Sequence, residues 1–89
     1  MAMLEGKVAL ITGAGTGIGK GTALMFAAEG AHVVIAARRE GPLQETSALA
    51  PERISYVQMD LNSHDDRARA LQTVIDRHGR LDILVSNAG

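Results

Sequence analysis

The sequence predicts an α/β fold: one half of a doubly wound parallel sheet, alternating β-α-β-α-β-α-β, with strands in the order 3-2-1-4. Three observations carry this expectation. Short apolar runs recur along the chain. Stretches with helix start and stop signals separate them. The first run feeds directly into a glycine-rich turn. Near-continuous apolar strands between helices fit a parallel sheet covered on both faces. Right-handed crossovers then give the strand order.

The elements follow in chain order. Val8–Ile11 is an apolar run ending at Thr12-Gly13, as a buried strand does. Gly17 to Glu29 reads as a helix with Ile18, Gly21, Met25 and Ala28 on one face, and Gly30 stops it. His32–Ala37 is the second strand. Pro42 to Ala50 is the second helix, with proline in its first turn, a thin apolar stripe of Leu43 and Leu49, and Pro51 at its end. Ile54–Met59 is the third strand. Ser63 opens the third helix, with Asp66 three residues on as a variant capping box. Leu71, Val74, Ile75 and His78 form its inner stripe, and Gly79 closes it. His78, beside that glycine, is expected to cap the helix end. Leu81–Ser86 is the fourth strand.

At 89 residues the chain makes one small domain with a marginal core. Apolar residues are 46% but aromatics only 2%, so Val, Ile, Leu, Met and Ala must build the core. A net charge of -1 gives no general attraction to nucleic acid or an anionic membrane. The absence of cysteine excludes disulfides, thiolate chemistry and Cys-based zinc sites, and fits a reducing compartment. Met1 to Lys7 has no signal-peptide pattern, and no apolar run approaches membrane-spanning length. The expectation is a soluble, cytoplasmic protein without nucleic-acid or membrane partners. No repeat, linker or low-complexity stretch interrupts the chain.

The strongest local signal is Thr12-Gly13-Ala14-Gly15-Thr16-Gly17-Ile18-Gly19, between a predicted strand and a predicted helix. A pyrophosphate needs backbone N–H donors at close range and a helix N-terminus aimed at it. Side chains at the closest points would block that approach, and glycine also permits a φ > 0 turn. A plain turn needs one or two glycines, whereas four stand here within seven residues. A P-loop would require glycine at 14 and Ser or Thr at 21, where Ala14 and Gly21 stand. The G-x-G-x-x-G fingerprint starting at Gly13 would require glycine at Ile18. The pattern that fits is T-G-x-x-x-G-x-G.

On that pattern the chain resembles the short-chain dehydrogenase/reductase family, classical type, over its whole length. Thr12, Gly13, Gly17 and Gly19 match the family's glycine motif. Leu4-Glu5-Gly6-Lys7-Val8 looks like the family's entry into the first strand. Asp60-Leu61 resembles its acidic-aliphatic pair after the third strand. Ser86-Asn87-Ala88-Gly89 resembles its N-N-A-G motif, with Ser86 in place of the first Asn. The resemblance implies a Rossmann-type fold in which residues 1–89 form a partial NAD(P)-binding domain. It implies that the glycine turn, including Gly15, Thr16 and the N–H groups near Ile18, faces the pyrophosphate. It implies that Asp60 accepts from the adenine amino group and that Leu61 contacts the adenine. Asn87 would tie the fourth strand to its neighbour, and Ala88 and Gly89 would line the adenosine ribose. The alternative for Asp60 is a helix or turn cap ahead of Ser63, and for Asn87 a strand-end turn residue.

The second strand's end bears on the choice of dinucleotide. An acidic residue about 20 positions past the glycines holds a free ribose 2′-OH. Here Ala37 stands there, followed by Arg38 and Arg39. Guanidinium forks grip a 2′-phosphate bidentately, and a carboxylate would repel it. The expected cofactor is NADP(H), with NAD(H) as the second option. The alternative is a solvated arginine pair, one member neutralised by Glu40.

In the family, a Tyr-x-x-x-Lys pair and an upstream Ser beyond the N-A-G motif carry the chemistry on a carbonyl or alcohol substrate. Tyr56 is followed four residues later by Asp60, and the only lysines are Lys7 and Lys20. No catalytic pair can be assembled, so the chain is expected to be the cofactor-binding portion of an enzyme, truncated before its catalytic residues and inactive alone. The alternative class is a non-catalytic half-domain that binds nucleotide or self-associates. His64-Asp65-Asp66 could suggest a metal, but acids at a helix start already complement its dipole, and no metal is expected. The fourth strand, left as an apolar edge, favours strand addition, so a homo-oligomer is expected.

Overall fold

The computed structural model describes residues 3–13 and 17–86. The elements are β1 (Val8–Thr12), α1 (Gly17–Ala28), β2 (His32–Ala37), α2 (Glu40–Ala48), β3 (Ile54–Gln58), α3 (His64–His78) and β4 (Ile83–Ser86). The strands form one parallel sheet in the order β3-β2-β1-β4, as expected. Val8 aligns with His32 and Ala9 with Ile83, so Thr12, Ala36 and Ser86 come level at the carboxyl edge. Among the described residues no helix is long and apolar enough to cross a membrane.

Successive strand residues point to opposite faces, and both faces are covered. Ile11, Val33 and Ile35 pack beneath Ala23 and Ala27 of α1 and Leu43 of α2. Val8, Leu10, Val34 and Ala36 pack beneath Ala70 and Val74 of α3. Burial on both sides makes β1 and the middle of β2 unbroken apolar runs in the sequence.

The helix faces differ from those expected. On α1 the buried residues are Gly19, Ala23 and Ala27, while Ile18 is 83% and Met25 58% exposed, and Gly21 and Ala28 are also exposed. This helix is apolar nearly all round, so more than one stripe can be drawn along it. The stripe of small residues wins because it lets the helix backbone approach the sheet closely. On α3 the buried pair is Ala70 and Val74, and Leu71 and Ile75 face outward by one residue's rotation. Only Val74 of the expected stripe is fully buried.

Helix α2 starts two residues earlier than Pro42. Proline then falls in the first helical turn, where N–H groups have no intrahelical partner. Its inner face is Leu43 and Thr46. Leu49 lies past the last turn and is exposed, because six residues on from Leu43 the helix has rotated away from the sheet.

The ends of α3 are set locally. Ser63 Oγ accepts from Asp66 N–H at 3.2 Å, and Gly79 takes a left-handed φ of 76°. The Asp66 carboxylate does not return to Ser63. It accepts from Asp60 N–H at 2.8 Å, stitching the helix start to the end of β3. His78 is not the cap. Its ring packs on His32 and its Nε2 is buried without a partner.

Candidate dinucleotide site

Of the residues singled out in the sequence, Thr12, Gly13, Arg38, Arg39, Asp60 and Leu61 stand at or just past the carboxyl ends of the strands. Thr12 ends β1 and is buried; its Oγ1 lies 3.5 Å from Val85 O and from Ser86 Oγ, at the outer limit for hydrogen bonding. Gly13 N–H still donates to Ala36 O at 2.7 Å. The chain then leaves the sheet through Gly13 at φ 68° and enters α1 through Gly17 at φ 63°. Both lie in the left-handed region, which glycine enters without steric cost. A Cβ on Gly17 would meet nothing within 4 Å, so the backbone angle rather than crowding by the protein calls for glycine there. The first turn of α1 has no acidic residue to offset its positive end. Gly15, Thr16, Asn87, Ala88 and Gly89 lie outside the described residues.

At the end of β2, Arg38 and Arg39 are exposed. Neither takes part in an ion pair among the described residues. Glu40 does not neutralise them. Its Oε2 accepts from the Tyr56 hydroxyl at 3.0 Å, and Gln44 Nε2 donates to the same hydroxyl at 3.3 Å. Gln58 Nε2 donates to Arg38 O at 2.9 Å.

At the end of β3, Asp60 Oδ1 accepts from Asn62 N–H at 2.9 Å, and its carbonyl accepts from Ser63 N–H at 3.0 Å. The turn-cap reading of Asp60 therefore describes one oxygen, and no hydrogen bond among the described residues reaches the second. Arg67 donates to the Leu61 carbonyl at 2.6 Å. The Asp60 N–H, helped by Arg69 at 3.2 Å, holds the Asp66 carboxyl below its ordinary pKa.

Two hollows open between these ends. One, of about 420 Å³, is lined by Arg38, Gln58, Met59, Asp60, Asp66 and Arg69. The other, of about 120 Å³, brings together Thr12, Met59, Leu61, Leu84 and Ser86. Arg38 and Asp60 thus share one hollow, and Thr12 and Leu61 share the other. Arg39 lines neither. Sequence reasoning missed Tyr56, Gln58, Asp66 and Arg69 as parts of this corner. The Asp66–Arg69 pair was visible as an i, i+3 spacing; the two β3 residues gave no local sign.

A parallel sheet in this order, with a glycine turn joining β1 to α1 at its carboxyl edge, is a Rossmann-type architecture. The family model described as short chain dehydrogenase matches residues 7–89. A 3-oxoacyl-[acyl-carrier-protein] reductase of Thermotoga maritima is 39% identical over 89 residues, covering 97% of this chain and 36% of the relative. The crystal structure of a 3-ketoacyl-(acyl-carrier-protein) reductase from Brucella melitensis, complexed with NADH, superposes with a TM-score of 0.93 at 42% identity, over 97% of this chain and 35% of that one. A glucose dehydrogenase of Caenorhabditis elegans in the apo form gives a TM-score of 0.91 at 40% identity, over 98% and 39%. The chain belongs to the short-chain dehydrogenase/reductase family, whose members include these oxidoreductases. It spans about a third of the length of the curated relatives it matches.

Proposed function

We propose that these residues form the cofactor-binding part of a cytoplasmic short-chain oxidoreductase that interconverts a carbonyl and an alcohol and prefers NADP(H) to NAD(H). The single observation that carries the preference is the corner where Arg38 shares a hollow with Asp60 while Glu40 is held by Tyr56. The Arg38 guanidinium, in no ion pair among the described residues, suits a 2′-phosphate.

The described residues fit a dinucleotide. Gly13 and Gly17 take left-handed angles, and the first turn of α1 carries no acid to oppose its positive end, which suits the pyrophosphate. In this reading the N–H groups around Ile18 and Gly19 bind the pyrophosphate, with Gly15 and Thr16 beside them. Asp60 orients the adenine through its amino group, and Leu61 supplies an apolar contact. Asn87, Ala88 and Gly89 complete the ribose side. The nicotinamide, when bound, supplies or accepts the hydride. Acid–base work falls to residues outside this stretch, since Tyr56 is committed to Glu40 and no lysine stands four residues after it.

The whole protein is expected to reduce small ketones or aldehydes with NADPH, and the 89 residues alone are not. Association with further copies is part of the same reading: Leu84 on the β4 edge is 58% exposed and lines a hollow with the outward Leu71.

The test is a titration of the full protein, wild type and Arg38→Ala, with 2′-phospho-ADP-ribose and with ADP-ribose. Charge-assisted bonds contribute roughly 1.5–3 kcal/mol each, and partial exposure reduces this. The wild type should therefore favour the phosphorylated ligand by on the order of tenfold to a few hundredfold. Arg38→Ala should weaken that ligand selectively. Equal weakening of both ligands, or a wild type favouring ADP-ribose, would reduce the arginines to a solvated turn.

A further inference from the structure

We propose that Tyr56 and Gln58 of β3 are specificity-determining positioning residues, which hold the β2–α2 turn so that Arg38 faces a 2′-phosphate while the Glu40 carboxylate is kept away from it. This inference rests on the NADP(H) reading above and assigns that preference a structural cause outside the arginines themselves.

Residues two apart on a strand project to the same side. Tyr56 and Gln58 use that spacing to reach across from the edge strand to the turn after β2. Gln58 Nε2 donates to Arg38 O at 2.9 Å, and Met59 N–H donates to Ala37 O at 2.9 Å, so the backbone bearing Arg38 is fastened at consecutive carbonyls. Gln58 also lines the hollow that Arg38 and Asp60 share. The Tyr56 ring packs against the core cluster beneath α1 and α2, which fixes its hydroxyl. That hydroxyl donates to Glu40 Oε2 at 3.0 Å and accepts from Gln44 Nε2 at 3.3 Å.

Glu40 is the acid closest in sequence to Arg38 and Arg39. Released from Tyr56, its carboxylate is tethered within reach of either guanidinium. There it would compete with a 2′-phosphate for the donors and repel it through space. Held by Tyr56, the same carboxylate lies in the first turn of α2, where a negative charge is favourable. The phenol thus sorts the charges of the turn: the acid to the helix start, Arg38 to the ligand. A 2′-OH carries no charge to be sorted, so ADP-ribose should feel little of this.

The experiment is a titration of the full protein with 2′-phospho-ADP-ribose and with ADP-ribose, as wild type, Tyr56→Phe, Glu40→Gln, the double variant of these two, and Gln58→Met. Tyr56→Phe should weaken the phosphorylated ligand roughly two- to fivefold, in line with one exposed charge interaction, and leave ADP-ribose unchanged. In the Glu40→Gln background the same change should be silent, because no carboxylate remains to be held. Gln58→Met should weaken the phosphorylated ligand as well. A merely structural role for Tyr56 would lower the melting temperature and weaken both ligands alike, in both backgrounds, and would overturn the proposal. An unchanged ligand ratio in Tyr56→Phe would overturn it too. If wild type and Arg38→Ala behave as the NADP(H) reading requires while Tyr56→Phe leaves the ratio unchanged, only this inference fails. If the wild type does not favour the phosphorylated ligand, both fail together.

Discussion

His78, in the last turn of α3, stacks on His32, the first residue of β2, with ring centroids 5.3 Å apart and planes 27° from parallel. Burial, then the neighbouring His32 and Arg77, hold the His78 pKa below 6.5. The fold therefore favours the neutral ring, and the unfolded chain takes up the proton more readily. The contribution is complete above pH 6.5 and is lost as pH falls through the lower folded value. Melting temperature should fall between pH 7.5 and 5.5. His78→Phe keeps a ring on His32, removes the unpaired buried Nε2 and should flatten that slope. A slope unchanged in the variant would assign the acid sensitivity to another group.

Thr46, on the inner face of α2, is completely buried and its Oγ1 has no partner. Valine has nearly the same shape without the hydroxyl. An unpaired buried hydroxyl costs about 1–3 kcal/mol, part of which Thr46→Val should recover. Denaturant unfolding should show an unchanged slope and a raised midpoint. A lowered midpoint would mean that the hydroxyl has a partner in solution.

Asp82 joins the entry of β4 to β1. Its Oδ1 accepts from Arg80 at 2.7 Å and its Oδ2 from Val8 N–H at 2.9 Å. Arg80, then the Val8 N–H, lower its pKa below 3.8. The sign is opposite in sense to a raised basic group: stability is present above pH 3.8 and lost as pH falls through the folded value. Asp66 titrates in the same direction. The double variant Asp66→Asn with Asp82→Asn should be less stable than wild type at pH 6 and lose less on acidification to pH 3. Thermal melts across that range measure both differences, and parallel curves would rule the two carboxylates out.

Gly17 separates fold from binding. Its φ of 63° strains any side chain, yet a Cβ there meets no protein atom. Gly17→Ala should cost about 1–2 kcal/mol of stability, from backbone strain alone. It should also weaken ADP-ribose and its 2′-phospho form alike, since both carry the pyrophosphate. Selective weakening of one ligand would place Gly17 away from the pyrophosphate.

Much of the fold was legible because its signals are local. Val8–Ile11 and His32–Ala37 read as strands from their apolar runs alone, and Ser63 and Gly79 bracket α3 through hydrogen bonds and backbone angles confined to one turn. The alternation of elements with right-handed crossovers pointed to the order β3-β2-β1-β4. The faces of α1 and α3 were not legible. Ile18, Met25, Leu71 and Ile75 outrank Gly19, Ala23 and Ala70 in hydrophobicity, but which face docks depends on how closely a helix backbone can approach a sheet.

The sequence by itself determined the parallel sheet, its connections and the residues that reach its carboxyl edge, because strand length, capping and glycine angles are properties of a few neighbouring residues. Only the tertiary structure decided how the charges at that edge are shared out. Glu40 adjoins Arg39 in the chain, and sequence alone allows the two to pair. Parallel pairing of β2 with β3 instead carries Tyr56, 16 residues away, onto Glu40, and Gln58, 20 residues away, onto Arg38. A hydrogen bond between such distant residues has no local signature, because it exists only once the crossover has brought the two strand ends side by side.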